Sequence, residues 1–337
     1  MKDLDLRVRI AMAIAAGGAL AALGLPACGS DTENTTGTSD AGEAGKTDAA
    51  DGSSTTSDGS NDSATDDDSS NPNDAANDPD VIPTPRRPFL IGAELRSAEA
   101  VVGPAAWSAR DAIDAADALD AKTRDLLARA WLDDGLQEHA SVAAFARFTM
   151  LLLAVGAPPE LVAESQRASL DEIIHARDCF ALARRYGSEK AEPGGLGIAG
   201  ALGNGEVSLR AVVRLAVEEG CVGETLGAAI AEEQLRVATD PEARRVLARI
   251  ARDEARHAEL AWKFVAWACA KAPSLATEVT AAIERGVRAT RALPVRPLPV
   301  DAHIWRAHGR LPCIEARRAA ERAIDEILLP SIERLAA

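Results

Sequence analysis

Four stretches of the chain repeat apolar residues at three- and four-residue intervals, the period of a helix with one buried face. The first runs from Leu119 to about Ala154 and stops at Gly156-Ala157-Pro158-Pro159; within it Trp131, Val142, Phe145, Thr149 and Leu152 share a face with Glu138. Pro158-Pro159 opens the second, which continues to about Tyr186 and sets Cys179, Leu182 and Tyr186 on the face of Glu172 and His175. The third runs from Glu206 to about Thr239. Asp240-Pro241 then restarts the chain as a fourth helix, on which Leu247, Ile250, Ala261, Val265 and Ala268 lie with Glu254 and His257. Residues 187–205 hold seven glycines and a proline and predict a long crossover between the second and third helices. After Pro273 a fifth helix is expected to about Ala292, then a proline-rich break over residues 293–299, then an amphipathic helix from Ile314 to Leu335 packed outside the bundle.

The expected fold is therefore all-α: a four-helix bundle with a long crossover and extra C-terminal helices. Composition agrees, being rich in Ala, Leu, Glu and Arg with a single Tyr. The bundle is assigned to residues 119–272, a C-terminal helical extension to 273–337, and an N-terminal extension packing on the bundle to 89–118.

The formal charge is −15, but residues 29–88 alone hold 14 acids and 3 bases, so the rest of the chain is only mildly acidic. No basic footprint, no aromatic-basic interleaving and no Gly-rich phosphate loop is present, which excludes nucleic acid and nucleotides as partners. Residues 29–88 consist chiefly of Asp, Ser, Thr, Asn, Gly and Ala, cannot bury a core, and read as a disordered acidic tether. Ahead of it, Lys2, Arg7 and Arg9 precede an apolar run from Ile10 to Leu25, followed by Leu25-Pro26-Ala27-Cys28. This resembles a bacterial lipoprotein signal over residues 1–28, with Cys28 the lipidated residue. The resemblance implies an exported protein anchored to the cell envelope by lipid, and, with Gly29 and Ser30 rather than Asp after the cysteine, an outer-membrane address facing the periplasm or the exterior.

The chemistry sits in two similar pentapeptides, Asp171-Glu172-Ile173-Ile174-His175 and Asp253-Glu254-Ala255-Arg256-His257. Glu and His three apart on a helix leave the same face one turn apart, a spacing that suits a metal ion. The third helix offers Glu218, Glu219 and Glu224. At 100° per residue, Val212, Leu215, Val222, Leu226 and Ile230 lie within about 60° of Glu219, whereas Glu224 sits roughly 140° away. Spacing points the same way, because Glu138 precedes Glu172 by 34 residues and Glu219 precedes Glu254 by 35. The predicted ligands are thus Glu138, Glu172, His175, Glu219, Glu254 and His257. Four buried carboxylates would repel one another unless cations neutralise them, and imidazole with carboxylate suits iron or manganese. Asp171 and Asp253, each four residues before a ligand His, are placed to orient an imidazole, across to the other helix pair or not. A solvated acid paired with an Arg is the alternative for each.

With this ligand pattern the chain resembles the ferritin-like superfamily of dimetal carboxylate proteins over about residues 120–270. The resemblance implies two iron ions, manganese being possible, bridged by Glu172 and Glu254 and bound terminally by Glu138 and Glu219, with His175 and His257 completing one ion each. Asp253-Glu254-Ala255-Arg256-His257 is also similar to the Asp-Glu-x-Arg-His pattern of the oxygen-activating branch. The function it implies is an oxidoreductase using dioxygen or peroxide, served by an external electron donor because no C-x-x-C iron centre is present. The other readings are iron binding or ferroxidase action without an organic substrate, and a helical lipoprotein whose metal is structural. His139 points about 100° from Glu138 and is read as packing or surface. His303 and His308 are assigned to the surface. Cys179 and Cys221 either pair in an oxidising compartment or stay buried thiols.

Overall fold

Each long helix begins where a cap or a proline permits it. In the computed structural model, which describes residues 5–23, 87–92, 94–104, 106–108, 119–203 and 205–336, helix dominates. An N-terminal helix α1 (Leu6–Leu23) precedes the described remainder of the chain. Helix α2 (Ala121–Ala154) starts at Asp120, whose side chain accepts from the Thr123 amide at 3.0 Å. It ends in a turn at Gly156 (φ 65°), after which Pro159 opens α3 (Pro159–Arg185). In the same way Ser208 caps α4 (Leu209–Leu215), and Asp240 caps α6 (Pro241–Lys271) by accepting from Ala243 N at 2.9 Å. The connections 155–158 and 238–240 are short, so α2 with α3, and α5 (Thr225–Val237) with α6, form helical hairpins.

Between α4 and α5 the chain departs from the predicted third helix. Ala216–Glu224 is a π-helical segment, continuous with both neighbours. It lies against α6 so closely that a Cβ on Gly220 would come within 2.5 Å of the Ala261 methyl. Only glycine allows that approach.

Two two-residue strand pairs interrupt the otherwise helical architecture. Strand β1 (Leu90–Ile91) pairs with β2 (Glu94–Leu95), and β3 (Ala100–Val101) pairs with β4 (Glu192–Pro193), all antiparallel. The second pair ties the crossover to the segment before the bundle, where buried Glu192 accepts from Trp107 N at 2.9 Å and from Ser108 Oγ at 2.8 Å.

The C-terminal part adds α7 (Ala276–Ala292), the short α8 (Ala302–Ala307), α9 (Cys313–Ala323) and α10 (Leu329–Ala336), the last two joined by a π segment over Ile324–Leu328. Leu311, Ala320, Ile324 and Leu328 join the same apolar core as Phe148, Val217 and Phe264, so this extension completes the core rather than resting on it. Gly309 makes the close turn that brings it in. It has φ 79°, and a Cβ there would meet Leu247 at 2.7 Å. Arg310 follows, buried, with its guanidinium 2.5 Å from Asp134.

Helix α1 lies along α6, with Leu6, Ile10, Ala13 and Ile14 buried and Arg9 paired with Glu259. Among the described residues no helix is long and apolar enough to cross a membrane. Cys28, the remainder of the signal-like run from residue 24, and the tether up to residue 86 lie outside the described residues. Arg87, which the sequence reading gave to the tether, is instead 1% exposed in the core. An arginine between prolines reads as solvated, and nothing local announces the aromatic rings and carboxylates that receive it.

Candidate metal centre

Six side chains from the four long helical stretches meet in the interior: Glu138 from α2, Glu172 and His175 from α3, Glu224 from the π segment, and Glu254 and His257 from α6. They form two overlapping groups of donors, Glu138, Glu172, His175 and Glu254 in one, and Glu172, Glu224, Glu254 and His257 in the other. Within each group the donor atoms lie within 4.8 Å of one another, and all six residues are buried. Glu172 and Glu254 belong to both.

The two imidazoles are held by acids from the opposite helix. His175 Nε2 lies 3.2 Å from Asp253 Oδ2, and His257 Nε2 lies 3.3 Å from Asp171 Oδ2. Each aspartate thus reaches across the α3–α6 interface, and each is also engaged by Arg256, at 2.8 Å for Asp171 and 2.6 Å for Asp253. With Nε2 committed, Nδ1 of each ring turns inward. His175 Nδ1 stands 3.4 Å from Glu172 and 3.5 Å from Glu254, and His257 Nδ1 stands 3.1 Å from Glu172 and 4.0 Å from Glu254.

The donor set fits a metal ion on its own chemistry. Both oxygens of Glu224 and of Glu254, one oxygen of Glu172, and Nδ1 of both histidines are buried without a well-formed hydrogen bond. Orphaned buried polar atoms of this kind cost free energy unless something else binds them. Electrostatics says the same. Burial raises the Glu172 carboxyl, but the His175 and His257 imidazoles outweigh it and hold it at about 2. Burial likewise opposes charge on His257, yet Asp171 and Glu172 raise it to about 9, and Asp253, Glu172 and Glu254 raise His175 well above the ordinary imidazole value. Burial and the neighbouring Glu254 charge push Glu224 well up, towards the neutral acid. Protons on the imidazoles and on Glu224 therefore supply the positive charge that metal ions would supply.

Glu219, the predicted ligand of the third helix, is not in either group. It is buried among arginines, paired with Arg147 and 3.8 Å from Arg87 Nε, and burial pushes its carboxyl up against the pull of both guanidiniums. The π segment is what brings Glu224 into the donor group in place of Glu219. A chain closing i→i+5 hydrogen bonds advances about 80° per residue rather than 100°, so the five residues from Glu219 to Glu224 turn through about 100° less, which removes most of the ~140° that had set Glu224 off the face. In the second donor group it is Glu224, 30 residues before Glu254, that stands where Glu138 stands in the first. Gly220 and Gly223, both small residues in an otherwise strong helix pattern, were the only sequence sign of irregularity.

The remaining candidates fall as follows. His139 packs edge-on against Trp107 at 4.9 Å between ring centroids, away from the donors. His303 is exposed, and His308 is partly buried, with its Nδ1 2.8 Å from the Tyr186 hydroxyl. Cys179, Cys221, Cys269 and Cys313 are all buried, and the last three are free thiols. No family model, curated protein or solved structure matches this chain.

Proposed function

We propose that this chain is a ferritin-like dimetal carboxylate protein, in which Glu138, Glu172, His175, Glu224, Glu254 and His257 hold two divalent ions, iron first and manganese as the alternative, for an oxidation that uses dioxygen or peroxide. The observation that carries the reading is the overlap of two four-donor groups through Glu172 and Glu254. One isolated Glu-x-x-His pair is common on helical surfaces, whereas two such pairs buried face to face and sharing two carboxylates gather acids that only protons or cations can neutralise.

Bound iron would supply the redox chemistry, which no side chain of the set can perform alone. The chain's own residues do the rest. Glu172 and Glu254, which belong to both donor groups, would be shared by the two ions. Asp171 and Asp253 accept from Nε2 of the two imidazoles, keeping Nδ1 as the inward donor and raising its basicity. Phe145, whose ring centroid is 5.0 Å from that of His257, packs against that end of the centre, with Phe148 and Phe264 in edge contact with each other. Described cysteines offer no rubredoxin-like iron centre, so electrons for a turnover would come from a separate donor.

The envelope address rests on the sequence around Cys28. Under that reading, cleavage before Cys28 would remove α1.

The test is oxidation of the loaded protein. Chain reconstituted with Fe(II) under nitrogen and then exposed to dioxygen or to hydrogen peroxide should oxidise its iron stoichiometrically within seconds to minutes, with ferric-carboxylate absorption that the Glu172→Ala, Glu254→Ala double variant lacks. Iron that stays ferrous in both oxidants would remove the oxidoreductase reading and leave a structural metal.

A further inference from the structure

Arg87 enters the core from the segment ahead of the bundle. Ser141 Oγ donates to its carbonyl at 2.8 Å, and its guanidinium stands over the rings of Phe145 and Phe148 at 4.3 and 4.8 Å from their centroids. Its nearest carboxylates are Glu224, 3.7 Å from a terminal nitrogen, and Glu219, 3.8 Å from Nε. These distances exceed a direct hydrogen bond, and none of the three guanidinium nitrogens makes one. Glu219 is already paired with Arg147, and the third buried arginine, Arg310, is matched by Asp134 at 2.5 Å. One buried positive charge is thus left facing Glu224.

Its position relative to the two donor groups is lopsided. Phe145 and Phe148 stand seven and ten residues beyond Glu138 on α2, about 10 and 15 Å along the axis, so the guanidinium over them is displaced from Glu138. It is close to Glu224, and Phe145 beneath it also touches His257. Glu224 and His257 both belong to the same donor group, and neither belongs to the other.

We infer that Arg87 makes the two metal subsites unequal: the subsite of Glu224 and His257, with a fixed guanidinium beside it, binds its ion more weakly and fills second. The inference rests on the dimetal reading above. Two cations a few ångströms apart in a medium of low dielectric repel far more strongly than the same pair separated by 10 Å, and Arg87 cannot swing into water to avoid the ion. The centre then holds one tightly bound ion, at Glu138 and His175, and one exchangeable ion, at Glu224 and His257. Arg87 acts as a positioning residue that sets this order.

The experiment is an anaerobic titration of the full chain with Co(II), followed by calorimetry and by visible absorption. The expected parent isotherm has two steps, one ion each, with affinities differing about tenfold or more. Glu138→Gln should abolish the tight step and Glu224→Gln the weak one. Arg87→Met, which keeps the apolar stem and removes the charge, should strengthen the second ion about tenfold or more and merge the steps, while Arg87→Lys should keep them apart. Equal steps in the parent, loss of the tight step in Glu224→Gln, or an unchanged or weakened second ion in a folded Arg87→Met chain would each overturn the inference. Should Arg87→Met fail to fold, the Glu138→Gln and Glu224→Gln pair decides alone. Uptake of fewer than two ions by the parent removes the dimetal reading and this inference with it; two ions of equal affinity remove the inference only.

Discussion

His175 on α3 is oriented by Asp253 on α6, with Nε2 and Oδ2 3.2 Å apart across 78 residues of sequence. The mirror contact, His257 with Asp171, closes at 3.3 Å. Each pentapeptide therefore supplies a carboxylate and an imidazole to the centre and an aspartate that steers the other pentapeptide's imidazole.

Asp253→Asn should weaken metal binding about 10- to 100-fold while leaving the fold intact, because the amide accepts a hydrogen bond less strongly and adds no basicity to the ring. Asp171→Asn should act in the same direction on His257. Equilibrium dialysis against Mn(II) measures both. Unchanged affinity in either variant would reduce that aspartate to a partner of Arg256.

Glu224→Ala should lower metal content below two ions per chain. Glu219→Ala should leave the content at two but destabilise the protein by about 3–5 kcal/mol, because it strands the buried guanidinium of Arg147. Metal analysis and melting curves of the two variants separate the roles. A Glu219→Ala chain that folds as stably as the parent but loses an ion would reverse the assignment.

The helices were readable because their signals are local: Asp120, Pro159, Ser208 and Asp240 mark starts, and the apolar stripes carry the burial. Five of the six clustered donors lie on regular α-helix, where a fixed angle per residue turns spacing into geometry. Glu224 was missed because a π segment changes that angle, and the hydrogen-bond pattern is decided by packing such as Gly220 on Ala261, not by residue type. Arg87 was missed for a related reason. Its burial depends on Phe145, Phe148 and Glu224, which are distant in sequence, and a guanidinium beside prolines carries no pattern of its own.

In the metal-free protein His257 is raised to about 9 and His175 is raised well above the ordinary range. A group raised on folding stabilises the fold fully below its unfolded value of about 6.5, and that contribution is lost as pH climbs through the folded value. The metal-free chain should therefore lose thermal stability between about pH 6.5 and 9. Metal affinity should rise over the same interval, since each ion must displace a proton from its imidazole. Melting temperatures with and without Mn(II) across this window test both signs; a metal-free chain that gains stability toward pH 9 would contradict the charged-imidazole account.

If Cys28 carries lipid, the mature chain begins there and lacks α1, which in the full chain covers part of α6. Intact mass and fatty-acid labelling of protein expressed in a bacterial host should show a diacylated N-terminus at Cys28, abolished by Cys28→Ser. Retention of residues 6–23 in the purified protein would instead make α1 a permanent part of the fold.

The account stands most directly on a count of iron. Full chain dialysed anaerobically against Fe(II) and freed of excess should retain two ions per chain, and the Glu172→Ala, Glu254→Ala double variant, lacking both shared carboxylates, should retain none. One ion per chain in the parent, or two in the double variant, would contradict a centre built on Glu172 and Glu254.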